Sequence, residues 1–259
     1  MTVLLKLGGS AITDKSKENT AKPDEISRLS SEIASALSQN PKMPLIVGNG
    51  GGSFPHRPAK EGSLKDGVTE AWQKAYVIKT QEAAAKLNLI VVNSLVKNGV
   101  LAVPFRPSIA GSAHKGKIGS LNSKALLSYL IAGYVPVVCG DVLIDDRRGC
   151  LVASTETVFS FIAKNIPVSR IIIGTNVPGV LDDNGKVIKN ISPQNISKIK
   201  ACLSGSKETD VTGGMLHKVE SMLKLASYCD SILITDCTKP GMIEKALNGK
   251  TVDGTIISK

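Results

Sequence analysis

Short apolar segments alternate with longer amphipathic segments, and this alternation constrains the fold more than any other feature of the 259-residue sequence. Residues 3–7, 44–47 and 135–139 are predicted strands and are almost entirely apolar. Strands that are apolar on both faces are typical of parallel sheets with helices packed on each side. The sequence therefore predicts an α/β fold, a three-layer αβα sandwich with a mainly parallel central sheet.

The other predicted elements continue this alternation. Asp24 is a suitable N-cap for a helix that Asn40-Pro41 ends, and polar turns at residues 145–149 and 182–185 predict two hairpins. Further helices are predicted at residues 70–97, 123–132, 156–163, 214–228 and 239–247, and further strands at residues 101–105, 170–173, 231–235 and 254–257. No repeat or linker divides the chain, so residues 1–259 are predicted to form a single domain.

The bulk composition argues against several classes of protein. No apolar run approaches the roughly 20 residues that a membrane span needs, and the N-terminus lacks the basic leader of a signal peptide. The five cysteines are scattered and form no C-x-x-C pair. We therefore expect reduced cysteines, a cytoplasmic location and no contact with a membrane.

The net charge of +10 favours an anionic partner. The lysines are spread along the chain, and only 3% of the residues are aromatic, which leaves few rings to stack on bases. No zinc-finger spacing and no RNA-recognition motif is present. We therefore expect a small anionic substrate rather than a nucleic acid.

Glycines follow the predicted strands, where α/β proteins bind their ligands. Gly8-Gly9-Ser10, Gly50-Gly51-Gly52 and Gly140-Asp141 each come after a strand, and ligands bind beyond the carboxyl ends of such strands. A further pair, Gly213-Gly214, opens a predicted helix that also carries Lys218. Glycine lets the backbone approach a ligand, and helix N-termini offer free N–H groups to anions. The repetition of such segments predicts a phosphate-binding cleft.

Lysines lie beside these glycine segments. Lys6 interrupts an apolar strand, and a buried lysine needs an anionic partner. Lys15 and Lys218 are placed to neutralise phosphate charge. The sequence has no G-x-x-x-x-G-K-[ST] P-loop and no G-x-G-x-x-G fingerprint, so the common nucleotide-binding folds are not indicated.

Four motifs resemble those of the amino-acid kinase superfamily, in particular its isopentenyl phosphate kinases and the related fosfomycin kinases. They are K-L-G-G-S followed by T-D-K (residues 6–10 and 13–15), G-G-G-S-F-P-H (50–56), V-P-V-V-C-G-D-V-L-I-D-D (135–146) and D-V-T-G-G-M-L-H-K-V-E (210–220). The resemblance runs through almost the whole chain. It implies the amino-acid kinase fold, with an acceptor-binding lobe at about residues 1–165 and a nucleotide-binding lobe at about residues 166–259.

The resemblance also implies an activity. ATP, with Mg²⁺, would phosphorylate isopentenyl phosphate to isopentenyl diphosphate for isoprenoid synthesis in the mevalonate pathway, in a cytoplasmic homodimer. We expect Mg²⁺ to be held mainly by the nucleotide phosphates and water, so no protein ligand is assigned.

The resemblance implies roles for individual residues, and lysines with backbone N–H groups suit the electrostatic clamping that phosphoryl transfer needs. Lys15 would stabilise charge on the transferring phosphoryl group, His56 would bind the acceptor phosphate, and Glu156 would orient the active-site lysines. ATP would be held by Lys6, Gly8, Gly9, Ser10, Gly52, Asn176, Gly214 and Lys218. The acceptor would be bound by Gly51, Gly52, His56 and Thr155.

The sequence departs from the family pattern within the implied site. Asn49 stands where the family commonly has His, and Pro55 replaces the glycine before His56. The family's S-G-D-D becomes S-T-E-T at residues 154–157, which adds bulk at Thr155 and one methylene at Glu156. The family's T-D-V-D-G becomes T-N-V-P-G at residues 175–179, which removes two acidic groups.

These departures leave alternatives open. Pro55 and Thr155 are consistent with a kinase of another small phosphate or phosphonate, such as fosfomycin. The changes at Asn176 and Pro178 are consistent with a nucleotide-binding regulatory protein that lacks catalysis. A pocket for the five-carbon tail of the acceptor is expected after His56, around Trp72, Tyr76 and Ile78, and plain core is the alternative for these three. His114 and His217 receive no role.

Overall fold

The computed structural model describes residues 1–197, 199 and 214–259, of which residues 214–218 are described by their backbone alone, and it confirms the predicted α/β fold. The strands, in chain order, are β1 Thr2–Leu7, β2 Leu45–Asn49, β3 Ala102–Pro104, β4 Gly111–His114, β5 Lys117–Leu121, β6 Val135–Cys139, β7 Asp141–Asp145, β8 Gly149–Ala153, β9 Val168–Thr175, β10 Asn190–Ile191, β11 Ser231–Asp236 and β12 Thr255–Ile257.

Among the described residues, eight strands form the central sheet, in the order β10-β12-β11-β9-β1-β2-β6-β3. All neighbouring strands in it are parallel except β11 and β12. The apolar strands predicted from the sequence occupy its middle, where both faces are covered. The remaining four strands form a smaller sheet in the order β5-β4-β7-β8.

Helices cover both faces of the central sheet. They are α1 Gly9–Ile12, α2 Pro23–Gln39, α3 His56–Glu61, α4 Gln73–Lys97, α5 Pro107–Ala110, α6 Ser123–Ile131, α7 Thr155–Asn165, α8 Gly214–Ala226 and α9 Met242–Leu247, and Leu64–Asp66 forms a 3-10 turn. The long predicted helices are confirmed, with ends that shift by a few residues. None of the described helices has the length and apolar character that a membrane span requires.

Two apolar cores lie on opposite faces of the sheet. Successive side chains of a strand point to opposite faces, so Leu4 of β1 packs with α6, α7 and α8, while Val3 and Leu5 pack with α2, α4 and α9. The three predicted layers are therefore present. The sheet is continuous across residue 165, because β1 pairs with both β2 and β9.

The sequence did not predict β4, β5 or β10, nor the short helices α1, α3 and α5. Residues 107–121 contain many small polar residues and show no apolar alternation that indicates a hairpin. Their structure depends on a tertiary contact: the Asp145 carboxylate accepts hydrogen bonds from the backbone N–H groups of Gly116 and Arg147, at 2.7 and 2.8 Å. Both predicted hairpins are confirmed, as β7–β8 and as an antiparallel bridge between Leu181 and Val187.

Four cysteines lie in the part of the chain that the structure describes, at positions 139, 150, 229 and 237, and each is a buried free thiol. Burial raises the pKa of Cys229 to about 11 and that of Cys237 to about 12. These thiols are therefore protonated and unreactive near neutral pH. Cys202 lies outside the described residues.

Candidate active site

The glycine segments singled out in the sequence meet at one edge of the central sheet. Strands β9, β1, β2 and β6 are adjacent and parallel, so their carboxyl ends point the same way. The segments that follow them therefore share the ligand-binding edge of an open α/β sheet. Gly8 lies directly against the end of β9, because its N–H donates a hydrogen bond to the carbonyl of Gly174 at 2.8 Å.

The two glycine loops pack against each other without room for side chains. A Cβ atom on Gly9 would lie 2.3 Å from the backbone nitrogen of Gly52, and one on Gly50 would lie 2.7 Å from the nitrogen of Gly9. The N–H of Gly50 also donates a hydrogen bond to the Leu7 carbonyl at 2.8 Å. This close approach leaves bare backbone at the cleft, which is what a phosphate-binding loop needs.

Thr13 fastens the two loops together. Its buried hydroxyl donates a hydrogen bond to the carbonyl of Gly9 at 2.7 Å and accepts one from the N–H of Ser53 at 3.1 Å. Gly52 has a φ of +55°, and a Cβ there would lie 2.1 Å from the Thr13 hydroxyl. Only glycine fits at position 52, which fixes the geometry of the second loop.

Lys6 and Glu156 form an ion pair at the centre of this edge. The Nζ atom of Lys6 donates a hydrogen bond to Oε1 of Glu156, and 13% and 27% of the two side chains are exposed. The anionic partner expected for Lys6 is therefore present. Glu156 lies in the first turn of α7, after the N-cap Ser154, whose side chain accepts a hydrogen bond from the Thr157 N–H. The ion pair thus joins the end of β1 to the start of α7.

Lys15 lies in the loop that connects α1 to α2. This loop packs on the second glycine loop, because the Asn19 N–H donates a hydrogen bond to the Ser53 carbonyl and the Thr20 N–H donates one to the Ser53 hydroxyl. Lys15 itself is exposed. Its ammonium group is close enough to His56 to affect the titration of that ring.

His56 begins α3, directly after the second glycine loop. Partial desolvation of its ring lowers the pKa of His56, the charges of Lys15 and Lys6 lower it further, and Glu156 opposes them. The ring is therefore neutral at pH 7 and has one N–H to donate. A Cβ on Gly51 would lie 3.5 Å from its Nε2 atom, so the ring borders the loop that the sequence assigns to the acceptor.

Thr155 does not face the cleft. Its side chain is 2% exposed, and its hydroxyl donates a hydrogen bond to the Asn49 carbonyl at 2.7 Å. The substrate contact that the sequence predicts for Thr155 does not fit this burial, because the side chain is turned into the interior. The threonine instead packs on Gly48, where an added Cβ would lie 2.7 Å from its Cγ2 atom.

The other predicted nucleotide contacts are only partly described. Ser10 is half-buried in α1, and Asn176 is exposed directly after β9, next to the first glycine loop. Gly214 is the first residue of α8. Gly213 and the side chain of Lys218 lie outside the described residues, so the position of that ammonium group stays a prediction.

A small apolar cluster lies beside α3. It contains Leu64, Val77, Val142 and Cys150, and the half-buried Ala59, Val68 and Tyr76 pack against it. Of the three residues predicted to line a tail pocket, only Tyr76 contacts this cluster. Trp72 and Ile78 are on the surface, 54% and 66% exposed, because they occupy the outer face of α4 and the turn before it. Leu64 and Val142 were missed, since they come from segments far apart in the sequence.

Sequence reasoning also missed Asn88. It lies in α4 and is 1% exposed, and its amide donates hydrogen bonds to Oδ1 of Asn49 at 2.9 Å and to the carbonyl of Val137 at 3.2 Å. The sequence offers one signal for a role of Asn88. It lies on the buried stripe of an amphipathic helix, where an asparagine needs a polar partner.

The family model described as "Amino acid kinase family" matches residues 1–236. The chain belongs to the amino acid kinase family. Among curated proteins, it is 35% identical to the isopentenyl phosphate kinase of Methanocaldococcus jannaschii and 37% identical to that of Methanothermobacter thermautotrophicus. Both alignments cover 99% of this chain and 98% of the relative.

A solved isopentenyl phosphate kinase superposes on the whole chain with a TM-score of 0.84 at 31% identity, and all of both chains is covered. The predicted amino-acid kinase fold is therefore confirmed. An amino acid kinase is an ATP-dependent phosphotransferase, and the bare glycine backbone beside Lys6 suits the phosphates of that nucleotide. Within the described residues, no group of three or more His, Cys, Asp or Glu side chains could hold a metal ion.

Proposed function

We propose that the protein transfers the γ-phosphoryl group of ATP to isopentenyl phosphate and forms isopentenyl diphosphate. The observation that carries the proposal is the convergence of Lys6, Lys15 and His56 on two glycine loops that have no room for side chains. The relatives named isopentenyl phosphate kinase support this acceptor, because their similarity extends over the full chain.

The chemistry requires little beyond positioning and charge. An oxygen of the acceptor phosphate attacks the γ-phosphorus of ATP, and the bond from that phosphorus to the bridging oxygen of ADP breaks. Phosphate monoesters lose their second proton near pH 6, so the nucleophile is already ionised at pH 7 and needs no strong general base. The site accordingly presents cations and N–H groups rather than a base.

The ion pair with Glu156 fixes the position of the Lys6 ammonium group, which we assign to the nucleotide. We infer that Lys6 contacts a phosphate of ATP while Glu156 holds its ammonium group, and that Lys15 approaches the transferring phosphoryl group from the opposite loop. Gly9 and Ser10 would offer their N–H groups to the nucleotide, as would Gly214 at the start of α8. The N–H of Gly8 is bonded to the Gly174 carbonyl, so Gly8 would contribute its close backbone approach rather than a donor. Lys218 and Asn176 are retained as predicted contacts.

His56 would select an acceptor that carries a phosphate. A neutral ring donates one hydrogen bond to the phosphate without pairing with its charge, which leaves an acceptor oxygen free to attack. Gly51 and Gly52 would add backbone N–H groups from the same loop. Removal of one such donor from a reacting phosphate or oxyanion typically costs on the order of 100-fold in rate.

The tail of the acceptor would lie against the apolar cluster beside α3. Leu64 and Val142 form its buried centre, and the half-buried Ala59, Val68 and Tyr76 would present the surface that the tail contacts. A five-carbon chain buried against such side chains contributes about 0.8 kcal/mol per CH₂ group. This cluster therefore replaces Trp72 and Ile78 in our proposal for tail binding.

Three further features belong to the proposal. Mg²⁺ would accompany ATP and be held by its phosphates and water, which suits a small cation that keeps much of its hydration. Residues of about 1–165 would form the acceptor-binding lobe and residues of about 166–259 the nucleotide-binding lobe, with β1 and β9 at their junction. A cytoplasmic location agrees with the free thiols among the described cysteines.

We also propose a homodimer that uses the β3 edge of the central sheet. This edge has no strand beyond it in the described part of the chain, and Leu101 and Ile131 beside it are 62% and 86% exposed. Exposed edges and apolar patches are commonly covered by a partner. Light scattering should report a dimer for wild type, a monomer for Leu101→Glu with Ile131→Glu, and a dimer for the control Ile144→Glu on β7.

The activity is tested by following ADP release with a panel of acceptors and Mg²⁺-ATP. The panel contains isopentenyl phosphate, dimethylallyl phosphate, fosfomycin, a carboxylate acceptor and no acceptor. Fast turnover with isopentenyl phosphate and little with the carboxylate is expected. Strong turnover with fosfomycin alone would show that the acceptor is fosfomycin-like rather than isopentenyl phosphate. ATP binding without turnover on any acceptor would favour a regulatory role without catalysis.

A further inference from the structure

Two departures from the family pattern, Asn49 and Thr155, lie far apart in the sequence but contact each other. The Thr155 hydroxyl donates its hydrogen bond to the backbone carbonyl of Asn49 at 2.7 Å. The Asn49 side chain is held from the other side by Asn88, at 2.9 Å. All three residues are 2% exposed or less, so these contacts are shielded from water.

This buried network joins the elements that carry the site. Asn49 is the last residue of β2, directly before the second glycine loop, and Thr155 is the first residue of α7, directly before Glu156. Asn88 adds a hydrogen bond to the Val137 carbonyl of β6, which fixes the network to the sheet. A shift of the first turn of α7 would therefore move Glu156 relative to Lys6.

We propose that Thr155 is a positioning residue for phosphoryl transfer, because its hydroxyl fastens the start of α7 to the end of β2 and thereby holds Glu156 against Lys6. This inference rests on the proposed kinase function. It means that a residue outside the cleft determines the orientation of Lys6. Thr155 contacts neither substrate, and it acts on the reaction through Glu156.

The hydroxyl and the methyl group of Thr155 make different contacts. The hydroxyl makes the hydrogen bond to Asn49, and the methyl group packs on Gly48. Valine keeps the branched shape but places a methyl group where a 2.7 Å hydrogen bond had been, so the carbonyl and the helix must separate. Serine keeps the hydrogen bond and leaves a methyl-sized cavity over Gly48.

The two variants should therefore change different properties. Thr155→Val should lower kcat about tenfold with the acceptor KM unchanged within about twofold, since one buried hydrogen bond is worth about a factor of ten in rate. Thr155→Ser should keep kcat within about twofold and lower Tm, as expected for a small cavity. Ser30→Ala, which removes a buried hydroxyl between α2 and α4, should lower Tm alone. A Thr155→Val protein with the wild-type kcat would overturn the proposal.

A double-mutant cycle tests the route through Glu156. In the Glu156→Gln background, Thr155→Val should cause no further loss of kcat, because residues that act as a unit are not additive. An additive loss would show that Thr155 only supports the fold, and the proposal would fail.

Binding of a non-hydrolysable ATP analogue separates this inference from the proposed function. If wild type does not phosphorylate isopentenyl phosphate, the acceptor assignment fails while the network is still tested by the analogue Kd. Thr155→Val should weaken analogue binding when Glu156 is present and leave it unchanged in Glu156→Gln. Equal Kd values for wild type and Thr155→Val would reject the positioning role.

Discussion

The phosphate end and the apolar end of the proposed cleft are built in different ways. The phosphate end consists of backbone from two glycine loops that touch each other, fastened by Thr13 and bordered by the Lys6–Glu156 pair. The apolar end consists of side chains, such as Leu64 and Val142, from four separate segments. Almost no residue other than glycine fits in the loops of the phosphate end. At the apolar end, packing requires a certain side-chain volume, which several apolar residue types can provide.

This difference predicts that substitutions at the phosphate end slow the reaction strongly, while those at the apolar end weaken binding of the acceptor. The largest effect is expected from Gly9→Ala. Its Cβ would lie 2.3 Å from the Gly52 nitrogen, so the two loops must separate, and a displacement of about 1 Å can cost about 100-fold in rate.

The measurement for Gly9→Ala is kcat in the ADP-release assay, together with Tm to confirm folding. Gly119→Ala in β5 is the matched control, because the nearest atom to its added Cβ is 3.5 Å away. It should keep wild-type turnover. An active Gly9→Ala enzyme would mean that the loops are not as closely packed as the structure shows.

An effect of similar size is expected from His56→Ala. Loss of the neutral N–H donor should reduce kcat/KM for the phosphate acceptor by about 100-fold. His114→Ala is the control, since His114 pairs with Asp146 on an exposed hairpin. Equal losses in the two variants would remove His56 from acceptor binding.

A smaller and more selective effect is expected at the apolar end. Val142→Phe should overfill the cluster and raise the KM for isopentenyl phosphate about tenfold, with the KM for ATP unchanged, because overpacking costs about 1–3 kcal/mol. Val152→Phe on the neighbouring strand is the control, because that side chain is 40% exposed. A rise in the KM for ATP, or none for the acceptor, would place the tail elsewhere.

The smallest effect is a change in the titration of His56. Desolvation and the charges of Lys15 and Lys6 lower its pKa, so its NMR titration midpoint should lie below the ordinary 6.5 and should rise in Lys15→Met. Because the folded protein binds this proton less readily than the unfolded chain, His56 should reduce stability as the pH falls below 6.5. A midpoint that Lys15→Met leaves unchanged would place Lys15 away from the ring.

The two ends also differ in how far the sequence predicts them. The glycine loops and Lys6 could be predicted, because each follows its own strand and parallel strands bring those ends together. Thr155 could not be placed, since its burial depends on the distant Asn49 carbonyl. The tail pocket was predicted around Trp72, Tyr76 and Ile78 from their order along the chain, whereas the apolar cluster that we propose instead is assembled by long-range packing. Strands β4 and β5 were missed for the same reason.

The central claim is that the cleft transfers a phosphoryl group to a phosphate acceptor. Phosphorus NMR of a reaction with Mg²⁺-ATP, isopentenyl phosphate and wild-type protein tests it most directly. The account predicts that the monoester signal is replaced by the two coupled signals of a diphosphate, in step with ADP. An unchanged monoester signal with ADP and inorganic phosphate, or with no ADP at all, would contradict it.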